Sequence, residues 1–144
     1  MGLLLVGVAL ATTGRAEPVR AGHTCSATDR QFLRVAAANV EAVQLMGQSY
    51  AAGEGDAASV VSAARDGALA VERTAPREAA LKRARIFVHG MFSEYGRAIR
   101  AREQGQDAAG HMYRAYSLAN FAHTWIEAAR PGLTRSGCQI SPVL

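Results

Sequence analysis

Cysteine and lysine are almost missing from this chain: there are two cysteines, Cys25 and Cys138, and a single lysine, Lys82. Two isolated thiols cannot build a cysteine-ligated zinc site or an iron–sulfur centre. No Cys-x-x-Cys-His run is present, so covalent haem attachment is excluded. Long apolar runs are lacking too. The longest, residues 3–11, is too short to cross a bilayer, and every later candidate is broken by Arg, Glu or Asp. No Gly-x-Ser-x-Gly elbow, phosphate loop or dinucleotide fingerprint occurs. The Glu-x-x-His pairs of di-iron bundles are absent. Gly53-Glu54-Gly55-Asp56 has acidic and turn residues but not the twelve-residue ligand spacing of a calcium loop. His111 and His123 are twelve positions apart, about 18 Å along a helix, too far to share one ion. The sequence therefore reads as non-enzymatic.

What is present begins with the leader. The run Leu3 to Ala11 has the length of a signal-peptide core, although no basic residue precedes it. Small residues at Gly14-Arg15-Ala16 and Val19-Arg20-Ala21 place the expected cleavage after Ala16 or Ala21. Gly22-His23-Thr24 lacks the aliphatic residue of a lipobox, so Cys25 is not read as lipidated. Residues 1–21 are thus expected to be a signal peptide and short leader, and residues 22–144 a single helical-bundle domain. The address this implies is secreted, periplasmic or cell-envelope, with no membrane-spanning segment in the mature chain. A formal charge of +4 is modest, and it is read as a solubility property rather than as a nucleic-acid footprint.

Four stretches of helical periodicity follow. The first, over 28–52, opens on Thr28-Asp29-Arg30-Gln31 as a capping box and places Phe32, Ala36, Asn39, Val43, Met46 and Tyr50 on one face. Asp56 caps the second, whose Val60, Val61, Ala64, Ala68 and Val71 lie on a face kept flat by Gly67 and the alanines. The third spans 76–103, with Leu81, Ala84, Val88, Met91, Phe92, Tyr95 and Ile99 inward. The fourth starts from Asp107 and is expected to stop at Pro131-Gly132, since proline removes a helical hydrogen bond. Short connections make consecutive helices antiparallel neighbours. The fold expected is all-α, an up-down-up-down four-helix bundle. An even helix count brings Cys25 and Cys138 to one end, where export would let them join as a disulfide.

The fourth helix carries two stripes. One is apolar: Met112, Ala115, Ala119, Ala122 and Ile126. The other is polar and aromatic: Tyr113, Tyr116, Asn120, His123 and Glu127. In one reading the second stripe is a bundle boundary, with Glu127 paired to His123. In the sharper one, Asn39, Tyr50, Tyr95, Tyr116, Asn120 and His123 form a ligand-binding site, with Asn39 an amide inside an apolar seam. Haem is the cofactor alternative, with His89, His123 or Tyr116 as ligands, His111 as a further histidine, and Met91, Phe92 and Met112 against the macrocycle. Arg77, Arg85 and Arg102 would be the material of a motif-free enzyme site, but a solvated flank is the better account of them. Finally Ile86, Phe87, Phe121 and Trp125 lie off the main seams. Exposed together, they would make an apolar patch for a homodimer or a protein partner. The function expected is that of an exported bundle that binds a small ligand or an envelope protein.

Overall fold

The structure, a computed structural model, describes residues 25–140. The expected signal peptide, its cleavage sites and residues 141–144 lie outside the described residues. Four helices follow in order: α1 (Ala27–Ala51), α2 (Ala57–Glu72), α3 (Ala79–Glu103) and α4 (Ala109–Arg135). No strand occurs among the described residues. The all-α up-down-up-down bundle is present, and Cys25 and Cys138 are joined, their Cα atoms 5.3 Å apart across 113 positions of sequence.

The helix ends correct three sequence expectations. Ser26, not Thr28, caps α1: its Oγ accepts from the Asp29 N–H at 3.0 Å, and the Asp29 carboxylate accepts from the Ser26 N–H at 3.3 Å. Thr28 lies too late because its own backbone is already helical. α3 begins at Ala79 rather than at Pro76, since the N–H groups of Arg77 and Glu78 turn instead to Asp29 Oδ1, at 2.6 and 3.0 Å. α4 runs through Pro131 to Arg135. One lost hydrogen bond is tolerated there because Leu133 is buried and the last turn is tied down beyond it. Gly137, at φ +86°, allows the Cys138 N–H to reach the Leu133 carbonyl at 2.9 Å. At the other end, Asp107 Oδ1 accepts from the Ala109 N–H at 2.9 Å, as a residue just ahead of a helix should.

Packing follows the small residues. α2 and α3 approach closely because Gly67 lies flat under the Phe92 ring and Gly96 faces Ala64. α3 and α4 form an antiparallel hairpin centred on Gln104. Gly90 meets Leu118, Phe87 meets Phe121 and Arg83 meets Trp125, each pair equidistant from that residue. α1 lies on α2 and runs parallel to α3; Asp29 with Arg77 and Gly47 with Tyr95 keep the same separation in sequence. The core contains Phe32, Phe92, Leu81, Val60, Val71 and Val88, all fully buried. Each contributes about 1.5–3 kcal/mol of transfer free energy.

α4 touches only α3 closely, standing apart from both α1 and α2. No Cα of α1 comes within 8 Å of one in α4, although side chains of both belong to the same core. This distance leaves the facing edges partly wet. Met46 and Met112, expected inward from their spacing, are both exposed. The disulfide thus joins two helices whose backbones are nowhere close neighbours. Beside it, the Cys25 N–H donates to the Ser136 carbonyl at 2.9 Å.

Candidate functional site

The six polar and aromatic residues singled out from spacing fall into separate places. Asn39 is half-buried on α1, and its amide is satisfied within its own helix, Nδ2 donating to the Val35 carbonyl at 2.8 Å. Tyr50 donates to Glu103 Oε1 at 2.6 Å, with the Arg102 guanidinium 5.5 Å from its ring centre. Its hydroxyl is raised above the ordinary tyrosine value, first by that bond to Glu103. Tyr95 is half-buried against α1, where burial raises its pKa. Its Oη lies 2.5 Å from where a Cβ on Gly47 would stand. Tyr50 and Tyr95 therefore gather where α1 crosses α3.

The α4 residues do not join them. Tyr113 and Tyr116 are 73% and 68% exposed, and Asn120 and His123 are exposed as well. Glu127 is held by Arg130, not by His123, and that pairing lowers its carboxyl below the usual range. The second stripe of α4 faces water. Of the haem alternative's residues, His89 is half-buried on α3, its carbonyl accepting from Ser93 Oγ at 3.0 Å. Tyr116 and His123 stand two turns apart on α4, about 10 Å along the axis.

A charged knot that spacing along one helix did not disclose closes the α3–α4 hairpin. Glu94 Oε2 lies 2.7 Å from His111 Nδ1 and 3.0 Å from Arg114 Nε, while Oε1 accepts from Arg97 Nη1 at 2.6 Å. Arg114 Nη2 also lies 2.8 Å from His111 Nδ1. A carboxylate only accepts and a guanidinium only donates, so Nδ1 serves Glu94 when protonated and Arg114 when not. The Glu94 carboxyl, 12% exposed, is pulled from 4.5 down to about 2, first by the bond from His111 and then by Arg114 and Arg97. The signal was available. Glu94 and Arg114 are equidistant from Gln104, the midpoint of a hairpin predicted from Gly105.

Around this knot lies the outward face of the hairpin. Ile86 is 65% and Phe121 55% exposed. The Phe121 ring packs on that of half-buried Phe87, with centroids 5.5 Å apart. The Arg83 guanidinium covers Trp125, 4.4 Å from its ring. Tyr113 and Phe121 belong to one strip of α4, separated by two turns.

Charge is divided between the two halves of the bundle. α3 and α4 carry nine basic residues (Lys82, Arg83, Arg85, Arg97, Arg100, Arg102, Arg114, Arg130, Arg135) against Glu94, Glu103 and Glu127, a net of 9 − 3 = +6. α1 and α2 carry Arg30, Arg34 and Arg65 against Asp29, Glu41, Asp66 and Glu72, a net of 3 − 4 = −1. Among the described residues no group of three or more His, Cys, Asp or Glu side chains is placed to hold a metal ion. No helix among them is long and apolar enough to cross a membrane. Comparison with protein-family models, with curated proteins and with solved structures found no match, so any reading of the site rests on its geometry.

Proposed function

We propose that this chain is an exported, non-enzymatic helical bundle that acts by binding at the cell envelope, and that its docking surface is the outward face of the α3–α4 hairpin. The observation that carries the reading is the joint exposure of Ile86 and Phe121, with Phe87 and Trp125 beside them. Large apolar side chains grouped on one face mark interaction sites more often than scattered ones do. A disulfide closing the whole domain suits an oxidising compartment and supports the export half of the reading. The alternative envelope-bound form, a homodimer through this same face, would set two strongly basic hairpins against each other.

The test is partition of the protein between envelope and soluble fractions. Wild type is expected with the envelope, and the I86S/F121S variant in the soluble fraction while still melting in one cooperative transition. Equal partition of the two proteins would overturn the reading. The haem alternative, through His89, His123 or Tyr116, has no observation in its favour, and a hemin titration without a Soret shift would close it.

A further inference from the structure

This inference rests on the docking reading above and names the chemistry of the partner. We infer that the outward face of the α3–α4 hairpin seats on an anionic lipid surface.

Two properties of the face point there together. Ile86, Phe121 and Tyr113 project from the backs of two helices lying side by side. Hydrocarbon accepts protruding side chains of any shape, whereas a protein partner needs a matching hollow for each. Lys82 and Arg83 flank Ile86, and neither has an acidic partner within 4 Å among the described residues. Arg97 and Arg114, which share Glu94 between them, add a net of 2 − 1 = +1 to the rim. Long basic side chains lay their stems along apolar surface and carry the charge to headgroup level. The Arg83 guanidinium rests on the Trp125 ring, which keeps a positive charge beside the apolar part of this face.

Glu94 would be the obstacle, being a carboxylate in the middle of a face meant for anions. The structure removes it from play. Arg97, Arg114 and His111 surround it, and it is largely withdrawn from solvent. The face that remains is basic and apolar, the combination that peripheral membrane attachment requires, since neither property alone holds a protein on a bilayer. The +6 against −1 division of charge orients the molecule, turning α3 and α4 to the lipid and α1 and α2 away. A second copy is disfavoured on this face because the rims repel.

The experiment is cosedimentation of the full disulfide-bonded chain with phosphatidylglycerol-containing vesicles and with pure phosphatidylcholine vesicles. Binding is expected to be about tenfold or more stronger to the anionic vesicles, and to fall in high salt. K82Q/R83Q should reduce that discrimination, and I86S/F121S should weaken binding roughly tenfold while still melting in one cooperative transition. Trp125 is the only tryptophan, so its emission should shift to the blue on binding. Equal binding to both vesicles, or binding indifferent to I86S/F121S, overturns the inference. Absence of vesicle binding, with envelope retention still lost in I86S/F121S, also overturns it. That last result leaves the docking face standing and makes an acidic protein its occupant.

Discussion

Asp29 at the start of α1 accepts the backbone N–H of Arg77, 2.6 Å away and just ahead of α3. The same carboxylate accepts from Glu78 and closes the capping box with Ser26, although it is almost wholly buried. Burial pushes its pKa up, and the bonds from the Ser26 side chain and from the N–H groups of Glu78, Arg77 and Ser26 more than reverse this, leaving it lowered. One side chain therefore begins α1 and fixes where α3 begins. Asp29→Ala should cost about 2–3 kcal/mol, because three backbone donors, those of Ser26, Arg77 and Glu78, lose a charged acceptor. Asp29→Asn, which keeps one acceptor oxygen, should cost less. Urea denaturation of the two variants decides the order.

Gly67 and Gly132 should respond in opposite directions to the same change. A Cβ on Gly67 would stand 3.2 Å from three atoms of the Phe92 ring, which is fully buried and has no room to retreat. Gly67→Ala is expected to destabilise by about 1–2 kcal/mol after the gain in helix propensity is set against overpacking. Around Gly132 nothing lies within 4 Å. There the propensity gain acts alone, and Gly132→Ala should stabilise by about 0.5–1 kcal/mol. Thermal melts of both variants beside wild type read the two signs.

Acid should loosen the hairpin through Glu94. Its carboxyl titrates at about 2 in the folded chain against 4.5 as the ordinary value, so the unfolded chain takes up the proton first as pH falls. The stability this contributes is full above pH 4.5 and is lost progressively as pH drops from there towards 2. Glu94→Gln should lower stability at neutral pH and flatten the acid slope. Denaturation midpoints measured across that range test it, and equal slopes in the two proteins would contradict the assignment.

Periodicity made the architecture legible because burial of one face per helix is a local property of sequence. Phe32, Val60, Leu81 and Ile126 all lie where their spacing placed them. Gly67 was readable as a flat contact before its partner, Phe92, was known. The helix ends were harder, because they depend on groups distant in sequence. Thr28 has the sequence context of a cap, but Ser26 takes that role because its Oγ accepts from the Asp29 N–H. Pro131 has the context of a stop, but buried Leu133 and the disulfide hold the turn beyond it. The same limit applies to sites. Asn39 shares its spacing with buried residues and Tyr116 lies on a separate polar stripe, but periodicity does not say that α1 and α4 stay apart. Glu94, His111 and Arg114 needed the register of a hairpin to be seen as one cluster.

Because α1 and α4 have no close backbone approach, their association should lean on sulfur more than usual. Replacing both Cys25 and Cys138 with serine is expected to remove up to about 4–5 kcal/mol, the entropy of a loop closed over 113 positions. A loss below about 1 kcal/mol would show that the shared core, Phe32 and Leu33 with Ala122 and Ile126, holds the two helices unaided.

The bond between Cys25 and Cys138 also makes a covalent ring of everything from α1 to α4. A protease that cuts the exposed turn at Gly53-Glu54-Gly55 would open that ring without releasing a fragment. The severed molecule would migrate as one species until a reductant is added, and its new ends would sit at the opposite end of α1 from the disulfide.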